Sequence, residues 1–117
     1  MKAIVEIARK GSALRAARQQ VVSARRGQSV DFRLSFESAR SLFSALTPAR
    51  IDLLDTLRRT GPSSVKALAL AADRNYSNVH TDVSHLEALG LIERSEAGAV
   101  SVPFDSVEIV VPLAQVA

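Results

Sequence analysis

Signals that start and stop helices alternate over residues 47–102. Thr47-Pro48 places an N-cap residue before proline, which is favoured in the first turn, and Gly61-Pro62 ends the helix that follows. Asp73-Arg74-Asn75 has the composition of a tight turn, and its asparagine can cap another helix, which Gly90 ends. Together with Ser63 or Ser64 as a further cap, these signals predict three closely spaced helices, at 48–59, 65–72 and 76–89.

The spacing of apolar residues gives each predicted helix one buried side. In the third helix the stripe consists of Val79, Val83, Leu86 and Leu89. In the first it consists of Ile51, Leu54 and Leu57 or their neighbours, and in the second of Val65, Leu68 and Ala69. After Gly90, two short apolar segments flank Ser95-Glu96-Ala97-Gly98, which predicts a hairpin.

Alternating and helical patterns flank this region. Strands are predicted at 3–8, 29–36 and 107–113, and the Pro112 ring confines the last to an edge or an end of a sheet. An amphipathic helix at 13–26 and a short helix at 38–46 complete the pattern. We therefore expect a strand-helix-strand-helix element at 1–45, a central domain at 46–103 and a C-terminal strand and tail at 104–117. The element at 1–45 is expected to pack on the core and to serve dimerisation or partner binding.

Composition excludes several classes of protein. With 117 residues and no Cys, the chain has room for one domain and cannot form disulfides, thiolate metal sites or a cysteine nucleophile. His80 and His85 lie five residues apart rather than the four typical of metal-binding pairs on a helix. No phosphate-binding glycine loop and no Ser–His–Asp arrangement is evident, so we expect no enzyme, metal or cofactor. Without a signal peptide or an apolar run long enough to span a bilayer, we expect a cytoplasmic location.

Positive charge is concentrated at the N-terminus. Residues 1–26 carry seven basic side chains and one acidic one, whereas the rest of the chain carries eight basic and eleven acidic ones. This segment is either a solvated helix face or a surface for DNA phosphates or an acidic protein. The candidate contacts to a partner or to the DNA backbone are Arg15, Arg18, Arg25 and Arg26.

The order of helix, helix, turn, helix and hairpin over 47–102 predicts a winged helix-turn-helix. In this motif the earlier helix braces the later one, which enters the major groove, while the hairpin reaches a neighbouring phosphate or the minor groove. The fold class predicted for the whole chain is α+β, a winged helix-turn-helix with a small flanking β-sheet.

Several short motifs resemble those of the MarR-like predicted transcriptional regulators of bacteria and archaea. They are Leu46-Thr47-Pro48, Leu68-Ala69, Asn75-Tyr76, Asn78-Val79-His80, Asp82-Val83 and Leu89-Gly90-Leu91-Ile92, with Leu34-Ser35-Phe36-Glu37-Ser38 and the VEIVVPL tail in the flanks. The resemblance implies an antitoxin or autorepressor encoded beside a small toxin-like protein. The chain departs from that group at Ser77, Thr81 and Ser84, where related proteins tend to carry Lys or Arg.

Helical geometry selects the residues that a groove would meet. At about 100° per residue, Ser77, Thr81 and Ser84 lie opposite Val79, with Asn78 and His85 beside them. Asn can pair with adenine, and Ser or Thr can contact base edges, phosphates or a thymine methyl. The further DNA-contact candidates are Lys66, Arg74, Asn75, Tyr76 and Arg94. The alternative is a merely solvated face.

Two neighbouring residues have structural explanations that compete with a role in DNA contact. His80 lies at the boundary of the buried side, which suits packing or hydrogen bonding. Asp82 faces partly inward, where it would brace a neighbouring helix through an arginine or a backbone amide.

Two functions are therefore expected from the sequence. The first is a sequence-specific regulator, a homodimeric repressor on double-stranded DNA. The second is a protein-interaction module that neutralises a partner, with weak or secondary DNA binding. The second is favoured by the basic N-terminal segment and by the small hydroxyl side chains on the exposed side of the third helix. Residues 46–102 carry six basic and seven acidic side chains, which predicts weak or partner-assisted DNA binding because phosphate contacts dominate DNA affinity.

Overall fold

The computed structural model describes residues 1–7 and 30–114, which form two compact units. Unit 1 combines Met1–Ser44 with Phe104–Ala117, and unit 2 is the continuous segment Ala45–Pro103. The helix predicted at 13–26 lies outside the described residues.

Unit 1 contains a parallel three-stranded sheet in the order β2-β1-β5. The central strand β1 (Lys2–Ile7) pairs with β2 (Phe32–Phe36) on one side and with β5 (Ser106–Val110) on the other. Val5 lies opposite Leu34 in one pairing and opposite Ile109 in the other. The last predicted strand thus pairs within the chain and ends before Pro112, at an edge of the sheet.

The two faces of this sheet differ in chemistry because side chains alternate along each strand. On one face Ala3 and Val5 are fully buried, and Phe32 packs against Phe104 with ring centroids 5.5 Å apart. The other face carries cross-strand ion pairs, Lys2 with Glu108 at 3.5 Å and Arg33 with Glu6 at 3.6 Å. After β2 comes the short helix α1 (Ala39–Ala45), in which Leu42 is buried.

Unit 2 begins with three helices, each started by its own capping side chain. In α2 (Pro48–Thr60), the Thr47 hydroxyl accepts a hydrogen bond from the amide of Arg50. Ser64 caps α3 (Val65–Ala71) in the same way through the amide of Ala67, and Asn75 caps α4 (Tyr76–Ala88) through that of Asn78. The predicted helix starts are therefore confirmed. They could be predicted because each capping hydrogen bond joins residues only three positions apart.

The apolar stripes of these helices meet in one core. The fully or nearly fully buried side chains include Leu53, Leu57, Leu68, Val79, Val83 and Leu86. In α2 Leu53 joins Leu54 and Leu57 in the core. Ile51, which the sequence pattern placed on the buried side, is 37% exposed. Packing of α4 against α3 buries Val79, Val83 and Leu86 and leaves the opposite side of α4 in solvent.

A β-hairpin follows α4. Strands β3 (Glu93–Arg94) and β4 (Val100–Ser101) pair antiparallel, and Ser63, between α2 and α3, adds a bridge to Val100. The tight turn between the strands includes Gly98 at φ +87°, a conformation that glycine adopts without strain. The order of helices and the hairpin make this a winged helix-turn-helix, and with the parallel sheet of unit 1 they confirm the α+β class.

Candidate nucleic-acid interface

One side of α4 carries five exposed polar residues, and we call them the polar face. It consists of Ser77, Asn78, Thr81, Ser84 and His85. The opposite side is anchored by Val79, Val83 and Leu86, each fully buried. The structure thus brings five of the predicted contact residues together on one accessible surface.

Hydrogen bonds within the helix occupy two hydroxyl groups of the polar face. Thr81 Oγ1 donates to the carbonyl oxygen of Ser77 at 3.1 Å, and Ser84 Oγ donates to that of His80 at 2.9 Å. The side-chain amide of Asn78 makes no hydrogen bond to the described residues. Asn78 therefore presents both a donor and an acceptor to solvent, whereas Thr81 and Ser84 present oxygen lone pairs and, for Thr81, a methyl group.

Three charged residues join the middle of α4 to α2 and to the turn before α4, and we call them the Asp82 cluster. Asp82 Oδ1 accepts from Arg50 Nε at 3.0 Å, and Oδ2 accepts from Arg74 Nη2 at 2.7 Å. The Asp82 side chain is only 15% exposed. Burial alone would raise the pKa of Asp82, but hydrogen bonds from Arg74 and Arg50, together with their charges, bring that pKa below its ordinary value. The expectation that Asp82 braces a neighbouring helix is confirmed.

The surroundings of both arginines in the cluster further restrict their side chains. Arg50 Nη1 donates to the carbonyl oxygen of Ala45 at 2.9 Å. Arg74, immediately before the capping residue Asn75, has its Nη1 atom buried, and that atom has no hydrogen-bond partner among the described residues. A phosphate contact by Arg74 stays a prediction, and such a contact would draw the guanidinium away from Asp82 or share it with the phosphate.

Arg94 links the hairpin to α4. Its Nε and Nη2 both lie within hydrogen-bond distance of the Glu87 carboxylate, at 3.1–3.2 Å, and Nη1 approaches the carbonyl oxygen of Gly98 at 3.4 Å. The guanidinium therefore holds the base of the hairpin, and its predicted role in binding a phosphate is untested.

The remaining candidates are spread around α3 and the start of α4. Lys66 on α3 is exposed, and no ion pair involves it within the described residues. Tyr76 is 52% exposed, and its ring centroid lies 5.9 Å from that of His80. Arg15, Arg18, Arg25 and Arg26 lie outside the described residues.

Sequence reasoning missed two members of these ion pairs. The sequence shows Arg50 and Glu87 only as charged residues. In the structure Arg50 pairs with Asp82, and Glu87 pairs with Arg94. Helical spacing shows which side of a helix is polar, but it gives no distance between residues on different elements. A charged residue beside an apolar stripe, as at Arg50, is the one signal that could have indicated a partner.

Other kinds of site find no support in the part of the chain that the structure describes. Residues 1–7 and 30–114 contain no group of three or more His, Cys, Asp or Glu side chains that could hold a metal ion. No helix in this part of the chain combines the length and apolarity needed to cross a bilayer.

The fold and the polar face of α4 together place this protein in the class of winged helix-turn-helix proteins. The chain belongs to the HVO_A0114 family, whose model matches residues 45–109, more than half of the chain. Among solved structures, the chain is similar to the homodimeric winged helix-turn-helix DNA-binding domain (fragment 1–100) of Mb0332 from Mycobacterium bovis, a possible ArsR-family transcriptional regulator. The identity is 24% and the TM-score 0.45, over 81% of this chain and 74% of the other. The curated proteins gave no match.

Proposed function

We propose that this chain is a DNA-binding transcriptional regulator that inserts α4 into the major groove. The polar face of α4 is the observation that carries the proposal, because its five side chains are small or medium-sized, exposed and backed by a buried apolar side. A helix of this kind fits the major groove, and the hairpin lies next in the chain, as in winged helices that bind DNA.

We further propose that the active form is a homodimer that represses its own promoter. A single α4 contacts only a few base pairs, and helix-turn-helix proteins gain specificity by placing two such helices about one DNA turn apart, about 34 Å. The operator is then a pseudo-palindrome. The similarity in sequence to MarR-like regulators supports repression.

Fluorescence-anisotropy titration of the full chain tests this function. The probes are a duplex of the chain's own promoter and a scrambled duplex of equal length, at two salt concentrations. We expect tighter binding to the promoter duplex and weaker binding at higher salt, because binding to phosphates releases counterions. Equal, feeble binding to both duplexes contradicts the proposal.

A pair of serine variants separates contact with DNA from loss of fold. Ser84→Glu places a negative charge on the polar face, whereas Ser44→Glu places the same charge on the exposed surface of α1. We expect Ser84→Glu to weaken promoter binding at least about tenfold, because like charges in an interface are costly. Ser44→Glu is expected to bind as the unaltered chain does. Equal affinities for the two variants would place the interface elsewhere.

The ion pairs of unit 2 favour a second candidate function, neutralisation of a protein partner with DNA binding secondary. Arg50 and Arg74 share Asp82, Arg59 pairs with Asp55, and Arg94 pairs with Glu87. Charges used internally contribute little to phosphate binding. The candidate partner is a small toxin-like protein encoded next to this chain. Co-purification of the two products tests it, and a monodisperse complex without promoter affinity favours this function over the first.

A further inference from the structure

We infer that this chain selects A·T base pairs, with Asn78 as the residue that recognises an adenine. This inference rests on the proposed function and specifies the DNA sequence class. It comes from the donors and acceptors that the polar face has left after its own hydrogen bonds are formed.

The first step concerns guanine. The most common specific contact to guanine is a bidentate one from Arg or Lys to O6 and N7. Helix α4 contains neither residue between Tyr76 and Ala88. The arginines that flank α4 in sequence, Arg74 and Arg94, are held by Asp82 and Glu87. The polar face therefore lacks the usual means of selecting a G·C pair.

The second step concerns the hydroxyl groups. The hydroxyl groups of Thr81 and Ser84 donate their hydrogen bonds to the carbonyl oxygens of Ser77 and His80, respectively. While these bonds are kept, neither hydroxyl donates to guanine N7 or O6, whereas each can accept from an exocyclic amine, which adenine and cytosine carry. The Thr81 methyl group offers apolar contact to the C5-methyl of thymine.

The third step singles out Asn78. Its amide is exposed, makes no hydrogen bond within the described residues and lies in the first turn of α4, the part of a recognition helix that contacts base edges. An amide that donates and accepts side by side matches adenine N7 and N6. Asn78 and Thr81 are three residues apart and share one side of the helix, so one A·T step can engage both.

Selection from a pool of duplexes with a randomised central segment tests the inference, using the full chain and sequencing of the bound fraction. We expect the enriched motif to contain a required A·T pair. In Asn78→Ala the preference for adenine at that pair falls by about 5- to 150-fold, with the rest of the motif kept. In Asn78→Asp, which can only accept, the preference at that pair shifts towards cytosine.

Ser44→Ala, on the exposed surface of α1 and outside every proposed DNA contact, is the control variant. We expect it to select the same motif with the same affinity as the unaltered chain. An adenine preference that survives Asn78→Ala, or a motif built on required guanines, overturns the inference alone. Absence of any enriched motif overturns the proposed sequence-specific function together with it.

Discussion

Asp82 lies on the helix that we propose enters the groove, yet its carboxylate is directed to Arg50 and Arg74 rather than to solvent. One carboxylate oxygen accepts from each arginine, so a single side chain joins the middle of α4 to α2 and to the turn before Asn75. An acidic residue near phosphates is unfavourable unless its charge is compensated, and here two guanidinium groups compensate it.

Replacing Asp82 tests the strength of this arrangement. Asp82→Asn removes the charge that both arginines share, and we expect the free energy of unfolding to fall by about 1–3 kcal/mol in urea denaturation. Asp55→Asn is the matched control, since the Asp55–Arg59 pair is more than 70% exposed on both sides. We expect it to change stability by less than about 0.5 kcal/mol. Equal effects would show that burial of Asp82 is unimportant.

The lowered pKa of Asp82 makes this contribution dependent on pH. Because the folded chain holds the pKa below its ordinary value, the stabilisation is complete above the unfolded pKa of about 3.9 and is lost as pH falls through the folded pKa. We expect the stability gap between the unaltered chain and Asp82→Asn to be widest near neutral pH. It should shrink below about pH 4. Urea denaturation along a pH series measures it, and a constant gap contradicts the prediction.

At the scale of helices and strands, the short helix α3 depends on its cap. It has only seven residues, too few for a helix that is stable by itself, and the Ser64 hydroxyl accepts from the Ala67 amide at 3.0 Å. Ser64→Ala is expected to lower the free energy of unfolding by about 1 kcal/mol. Ser44→Ala, at an exposed position within α1, is the control, and we expect it to be neutral or slightly stabilising. Indistinguishable melting curves for the two variants would count against the cap.

Local signals explain why the helices of unit 2 were predictable. Thr47-Pro48, Gly61 and Asn75 act over one helical turn, and the structure places helix ends beside each of them. The polar face followed from the same periodicity, because Val79 and Val83 fix which side is buried. Ile51 shows the limit, since two adjacent phases of α2 have similar apolar stripes and only packing selects Leu53.

Long-range pairing was not predictable in the same way. The alternation in β1 and β5 indicates strands, but it does not show that Val5 lies opposite Ile109 or that the pairing is parallel. The same holds for charges. Arg50 and Asp82 are 32 residues apart, and their 3.0 Å contact depends on how α2 packs against α4.

At the scale of the whole molecule, charge is divided unequally along the chain. Residues 46–102 are slightly acidic, and most basic side chains of the first 26 residues lie outside the described part. The test is a four-arginine variant that combines Arg15→Ala, Arg18→Ala, Arg25→Ala and Arg26→Ala. If this segment binds DNA phosphates, the slope of log affinity against log salt falls in this variant by about 1 for each phosphate that is no longer neutralised.

The control for this prediction removes arginines elsewhere. Arg40→Ala and Arg59→Ala delete exposed charges on α1 and α2 that we assign to no DNA contact. We expect their salt slopes to match that of the unaltered chain in the anisotropy titration. Unchanged affinity and salt slope in the four-arginine variant would show that the N-terminal segment does not contact DNA.

The parallel sheet has a consequence for the order in which the chain acquires structure during translation. Strand β1 leaves the ribosome before residues 45–103 and β5 leaves it after them, yet the two strands are neighbours in one sheet. Residues 45–103 form a continuous unit between them and can fold while β1 still lacks its second partner. The winged domain is therefore expected to be protease-resistant on stalled nascent chains before the sheet is complete.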